Sequence, residues 1–458
     1  MHTKVEERHP LTQVMALYGW TNECLLRRVA GRHHDLGYGT MAVRKEKVSR
    51  WTRPCRPQTP TIPTQLALAD VLHIAGHEVH ARPWPQWLWL ALQDDTALWE
   101  SPWTPAGTIH ALDYTAGGLV ELDRRGFLTT TTATLAAVLA QWATAAPAAP
   151  AATGGRRIGA AVADRFDSRL RDLRHLDDDL GSDHVYDAAR AETRLITRLL
   201  RETTADEETR RRLHTCAAEA SRLAGWCAFD SGHNAAAEGH FVTALRAAAD
   251  SGDRTAGATV LAFWANVRYS DTRPDPRGAL DLIAAALAHR TDITSPRVLT
   301  MLHIRQARAH SIAQEPTAAY RAIDAALSAY DQDTPPGEDL PSMYWITTGE
   351  VFQAAASAAL SLGDPRRALT YFSAAATHQD PYDPGKEPRG TAIYLARQAE
   401  AYLALGDLDG AVETARRSVD LMGGVTSARG TGSLTGLHAA FARYRAIPVV
   451  QTFLTETA

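Results

Sequence analysis

The chain has 458 residues, of which 45% are hydrophobic and 22% charged, with a formal net charge of −4. That balance fits a folded globular protein of about three domains and excludes one that is basic throughout. No stretch reaches the roughly 18 uninterrupted apolar residues of a membrane span, and the charged start MHTKVEERHP reads as no signal peptide.

The charge is unevenly spread. Residues 1–60 hold eleven Lys and Arg against five acids, a local excess of +6 that leaves the remainder at −10. A compact basic head on an acidic body is the asymmetry expected of a nucleic-acid reader. Outside the head the basic residues are almost all Arg, so a single arginine carries little information. The cysteines Cys24, Cys55, Cys216 and Cys227 form no CxxC pair. The expectation is a reducing cytoplasm, with these thiols as small core residues.

In chain order, PLTQVMALYGWTNECLLRRVAGR (Pro10–Arg32) predicts a helix, a turn at Gly19, and a second helix capped by Thr21. Leu25, Leu26 and Val29 should point inward. After HHDLGYGT comes a short basic helix, MAVRKEKVSRWTR (Met41–Arg53), ended by Pro54, Pro57, Pro60 and Pro63. TQLALADVLHIAG closes the bundle through Leu66, Leu68, Ala69, Val71 and Leu72. HIAGHEVH places His73, His77 and His80 close together, but Gly76 interrupts the helix, so helix-end imidazoles are expected and not a metal site.

Trp84, Trp87, Trp89, Trp99 and Trp103 crowd the next segment, which reads as a domain junction. DRRGFLTTTTATLAAVLA, from Asp123, has the look of an export signal; at this depth in the chain it is expected to be a structural helix. Residues 143–157, ATAAPAAPAATGGRR, have no apolar periodicity and read as a flexible linker. Residues 165–201 predict amphipathic helices, with Leu170, Leu173 and Leu176 at helical spacing, that cap the C-terminal part of the chain or form a dimer face.

The C-terminal part repeats itself. Five segments, starting at Leu223, Leu261, Ile304, Val351 and Tyr394, share the form helix, short turn, second helix with an early small residue. Those residues are Ala237, Ala279, Ala319, Ala368 and Ala411, spaced 42, 40, 49 and 43 apart. Gly232, Gly363 and Gly406 stand at the turns as left-handed caps; Gln314 holds that place in the third repeat. Each pair is amphipathic and buries its face by stacking on its neighbours. No phosphate loop, nucleophile elbow or Cys/His set with context occurs, so neither enzyme activity nor a cofactor is expected.

The repeats resemble tetratricopeptide repeats, most clearly in the Leu403–Val412 run. The head resembles the helix-turn-helix domain of the Cro/lambda-repressor class through Gly19–Thr21, Val48–Trp51 and the closing Ala/Leu helix. That resemblance implies a third helix in the major groove. Arg44, Lys45, Lys47 and Ser49 would touch bases or phosphates, and Arg50, Arg53 and Arg56 phosphates, while Val48 and Trp51 pack inward. The loop before that helix, Arg32–Met41, is expanded by roughly ten residues relative to this class.

With Arg124–Leu128 and Leu223–Leu245, the arrangement resembles the NsdA-like family of actinobacterial regulators. The implied fold is all-α: residues 1–82 a helix-turn-helix domain, 83–142 a connecting segment, 143–157 a linker, 158–214 capping helices and 215–458 the repeats. The implied function is a DNA-binding regulator of development or secondary metabolism, a homodimer on double-stranded DNA, whose repeats sense a small molecule, peptide or protein. Asn266, Arg268, Tyr269, His303 and Arg305 are the expected groove lining. With Asn only at 22, 234 and 266, an Asn-based peptide clamp is disfavoured. The alternative is a scaffold in which the expanded loop has disabled groove entry.

Overall fold

The computed structural model describes residues 9–17, 20–53, 58–72, 74, 76–81, 83–91, 98, 101–116, 132–148, 155–271, 274–330, 339–378, 388–422 and 427–457. It is all-α: among these residues the strands are two residues long, Arg156–Arg157 paired in parallel with Thr203–Thr204. No described helix is long and apolar enough to cross a membrane. The chain divides into two compact units, residues 1–100 with 119–129, and residues 101–118 with 130–458. Arg56 and Arg124–Leu128 lie outside the described residues.

The first unit contains α1 (Pro10–Leu17), α2 (Asn22–Asp35), α3 (Glu46–Trp51), α4 (Ile62–Val71), α5 (Gly76–Ala81) and a 3-10 turn at Gln86–Ala91. Thr21 caps α2 as predicted, its hydroxyl accepting from the Cys24 amide at 3.2 Å. Glu23 in the first turn and Arg32, His33 and His34 in the last complement the helix dipole. Leu25, Leu26, Val29, Val48, Trp51, Leu68 and Leu72 share one core. Arg32 pairs with Asp70 and ties α2 to α4.

Two expectations for this unit change. The helix α2 continues through Asp35, so the first part of the predicted loop is helical. Gly37 and Gly39, with φ of 78° and 82°, then turn the chain, and the Gly39 carbonyl accepts from His33 Nδ1 at 2.9 Å. That turn delays the third helix, which starts at Glu46 instead of Met41. The aromatic segment, read as a connector, supplies core: Trp87 is fully buried and its indole N–H donates to Gln65 Oε1 at 2.9 Å. Trp84 stands edge-on to it, 5.7 Å between ring centroids.

The second unit opens with α6 (Pro105–Ala116) and α7 (Thr132–Thr144), then α8 (Ala161–Leu180) and α9 (Ser182–Glu202). The linker ends are pinned: the Ala148 amide donates to the Asp250 carbonyl at 2.9 Å, and Arg156–Arg157 joins the short ladder. Leu170 is buried against α10, but Leu176 is 42% exposed.

There follow the pairs α10 (Glu207–Asp230) and α11 (Asn234–Ser251), α12 (Arg254–Ser270) and α13 (Pro276–Leu287), α14 (Pro296–Ile312) and α15 (Pro316–Tyr330). Then come α16 (Thr348–Ser361) and α17 (Pro365–Thr377), α18 (Pro388–Leu405) and α19 (Leu408–Met422), and finally α20 (Ala428–Phe441) and α21 (Pro448–Glu456). Within each pair the two helices pack together, and the first helices α10, α12, α14, α16, α18 and α20 stack in sequence.

Local chemistry explains the spacing. Asp206, Asp253, Asp275, Ser295, Thr347 and Asp364 each cap a helix with a side-chain oxygen. All five aligned alanines are fully buried, which allows close helix approach. Gly232, Gly363 and Gly406 adopt φ of 86°, 78° and 79° at the turns. Gln314 does the same work at φ 59°, the one positive-φ residue other than glycine among the described residues. Its amide offsets the strain by donating to the Ser311 and Ser361 carbonyls at 3.2 and 2.9 Å.

Candidate functional site

The stacked first helices enclose a cavity of about 690 Å³, within the range of small-molecule sites. One register explains its wall. The residues eleven positions before the aligned alanines are Trp226, Arg308, Ser357 and Glu400 in four of the repeats, and all four line it. So do those fourteen before: Leu223, Arg305, Ala354 and Arg397. These positions are three apart and so share a helical face. In the second repeat a longer connection moves the register by two, and Asn266 and Phe263 take these places.

Of the predicted lining, Asn266, Tyr269 and Arg305 therefore face the cavity. Arg268 and His303 are not in its wall. Arg268 is buried against Glu238 and Asp275, at 2.8 and 2.9 Å. His303 Nδ1 meets Gln306 Oε1 at 3.1 Å. For Arg268 the shifted register is the reason, since a two-residue change carries a helical side chain off the inner face; His303 stands two residues before Arg305 in an unshifted repeat and so falls on another face of its helix.

The wall holds seven arginines and five carboxylates, and they are unevenly matched. At one side Arg389, in the first turn of α18, meets Asp177 at 2.8 Å and Asp230 at 3.1 Å. Burial raises the Asp177 pKa, but the Arg389 guanidinium outweighs it and the carboxyl stays below its ordinary range. Asp178 accepts from the Tyr344 hydroxyl, yet burial pushes it up to about 6. Nearby, Glu219 is held at about 2: Arg222 and Arg174, at 2.8 and 2.7 Å, overcome its burial.

An aromatic wall adjoins this cluster. Trp226 and Phe263 stand edge to face at 5.2 Å, and Trp345 follows Phe263 at 6.2 Å. Guanidinium groups lie on these rings: Arg222 over Phe263 at 4.2 Å, Arg429 over Trp226 at 4.7 Å and Arg305 over Trp345 at 5.6 Å.

The other side is rich in cations. Arg305, 8% exposed, donates to the Tyr269 hydroxyl at 3.2 Å, and its Nε has no hydrogen-bond partner among the described residues. Arg429 Nη1 is unpartnered in the same sense. Arg308 rests on the hydroxyls of Ser311 and Ser361, both at 3.2 Å, with no carboxylate partner among the described residues. Burial and the neighbouring Arg397 push its pKa down to about 10. Two carboxyls face these cations. Glu350 accepts from the Tyr394 hydroxyl at 2.8 Å, and burial pushes it up to about 7. Glu400 lies 3.3 Å from Arg397 and is also raised by burial. At neutral pH positive charge is in excess here.

In the first unit, Val48 and Trp51 of α3 are buried as expected, at 2% and 4% exposure. Arg44, Lys45, Ser49, Arg50 and Arg53 are exposed and Lys47 is half-buried. Arg44 precedes the helix and Lys45 stands at its N-cap. His73 lies outside the described residues. Burial raises the thiol pKa of Cys216 and of Cys227, which keeps them protonated.

No protein-family model matches the chain, and no curated protein matches it in sequence. The functional assignment therefore rests on these residues.

The arginine-rich wall was missed in sequence because Arg is abundant everywhere in this chain. The usable signal was the register: Arg305 with Arg308, and Arg397 with Glu400, recur at equal distances before the aligned alanine. Arg389 and Trp345 had no such signal, since both lie in or next to segments between repeats.

Proposed function

We propose that this protein is a ligand-responsive, DNA-binding regulator of the NsdA-like kind, with a helix-turn-helix head and a tetratricopeptide-like sensing body. The observation that carries this reading is the division of α3. It puts Val48 and Trp51 into the bundle core while Ser49 and Arg50, with Arg44 and Lys45 just before the helix, stay exposed. Anchored apolar residues fix the helix, and the free basic ones are available to phosphates and base edges. The cavity in the other unit is the sensing element, and the active species is a dimer at paired half-sites.

DNA affinity should fall steeply with salt through released counterions. Replacing Arg44 and Lys47 together by Ala should lower affinity at least tenfold and reduce the salt slope by about 2. A gel-shift series on genomic fragments checks this. Unchanged retention would remove the DNA contact from α3.

A second reading rests on one observation. With six residues, α3 is short for a groove-reading helix. On that reading the protein is a non-DNA-binding scaffold, and gel-shifts at moderate salt would show no sequence preference.

A further inference from the structure

The cavity's charge pattern narrows what it holds. Its cations fall into two groups. Arg174, Arg222 and Arg389 are neutralised by Glu219, Asp177 and Asp230. Arg305, Arg308 and Arg397 face only Glu350 and Glu400, whose ionisation burial opposes, while Arg429 also reaches Asp230 at 3.6 Å. Within this second group Arg305 and Arg308 stand three apart on α14, on one face. Arg397 reaches toward Arg308 from α18. Buried guanidinium N–H groups without acceptors are costly, and an anionic ligand supplies acceptors for them.

Beside this group stands the ring wall of Trp226, Phe263 and Trp345. Flat apolar surface next to converging donors favours a ligand that joins a ring to a charged end. The two asparagines near the cavity do not offer a peptide clamp. Asn234 donates to Asp271 at 2.7 Å, and Asn266 accepts from Ser270 at 3.2 Å. Both side chains are engaged within the protein, which disfavours an extended backbone as occupant.

We propose that the cavity binds a small aromatic carboxylic acid, its carboxylate held by Arg305, Arg308 and Arg397 and its ring lying against Trp226, Phe263 and Trp345. This deepens the sensing role given above and rests on it for its regulatory meaning, but binding itself is testable without DNA.

The test is calorimetric titration of the full chain with indole-3-acetate and with 4-phenylbutyrate, each beside its neutral primary amide. Each acid should bind at least tenfold more tightly than its amide. Arg308→Gln and Arg397→Gln should each cut acid affinity at least tenfold and amide affinity far less, with circular dichroism confirming that both variants fold. Equal binding of acid and amide, acid binding indifferent to both substitutions, or no heat from either acid at millimolar concentration would overturn the proposal. Tight binding of an acidic hexapeptide with none of either acid would overturn it in favour of a protein partner. Acid binding that leaves DNA affinity unchanged would support this inference while removing the regulatory reading.

Discussion

Arg308 and Arg397 place their guanidinium groups on one hydroxyl, Ser361 Oγ, at 3.2 and 3.0 Å. They reach it from α14 and α18, the helices on either side of α16. Burial, and after it the like charge of Arg397, lower the Arg308 pKa to about 10, so both oppose its charged form in the folded protein. A base with a lowered folded pKa is a liability at every pH below that value, relieved only as pH rises above about 10. Arg308→Met keeps the stem and removes the charge. It should therefore raise stability by about 1 kcal/mol at pH 7, read as a higher Tm, while abolishing acid binding. A lower Tm would show that Arg308 is a structural residue.

Glu350 has the opposite sign of pH dependence to an ordinary surface carboxylate. Its pKa is raised by burial from 4.5 to about 7, so the folded chain holds this proton after the unfolded chain has released it. Its contribution is fully favourable below about 4.5 and is lost as pH rises to about 7. Asp178 adds the same trend between 3.8 and about 6. Glu350→Gln keeps the acceptor for Tyr394 and cannot ionise. It should stabilise the protein by about 1–3 kcal/mol at pH 8, with little effect at pH 4.5. Denaturant titrations at the two pH values check the difference, and equal effects at both would refute it.

What the sequence made legible was the scaffold. Thr21, the turn glycines and the aligned alanines each have a local job, and local chemistry suffices to read them. Gln314 shows the boundary of such reading. Sequence marks it as a poor fit at a glycine position, and the structure shows the cost met by two carbonyls, one of them on Ser361 of a neighbouring helix. The cavity was less legible because pairing decides its character, and pairing is non-local. Arg389 and Asp177 are 212 residues apart in sequence. Arg268, expected in the groove, was lost to a two-residue change in turn length.

That same Arg389 links α18 to α8 and α10, and so joins the late repeats to the early ones. Asp177 and Asp230, at 3% and 0% exposure, both pair with it, and Asp230 has a more distant second cation in Arg429 at 3.6 Å. Removing one member of a buried ion network costs about 3–5 kcal/mol, because the remaining charges stay desolvated. Arg389→Ala should lower the unfolding free energy of the repeat unit by that much, read from denaturant titration. The double change Arg389→Met with Asp177→Asn should recover part of the loss, because one buried charge leaves with its partner. Failure of the double variant to recover any stability would place the loss in packing of the arginine stem.

The head offers a parallel case with neutral groups. Gln65, 3% exposed, accepts from Trp87 at 2.9 Å and donates to the Pro60 carbonyl at 2.8 Å. One side chain thereby holds the aromatic segment, the start of α4 and the turn before it. Gln65→Leu is nearly isosteric but leaves a buried indole N–H and a buried carbonyl without partners. Each unsatisfied group costs about 1–3 kcal/mol. The head should unfold at lower denaturant concentration, visible in tryptophan fluorescence. The helical signal is dominated by the repeats and should keep its midpoint, since the first unit has its own core. A single transition displaced as a whole would mean that the two units unfold together.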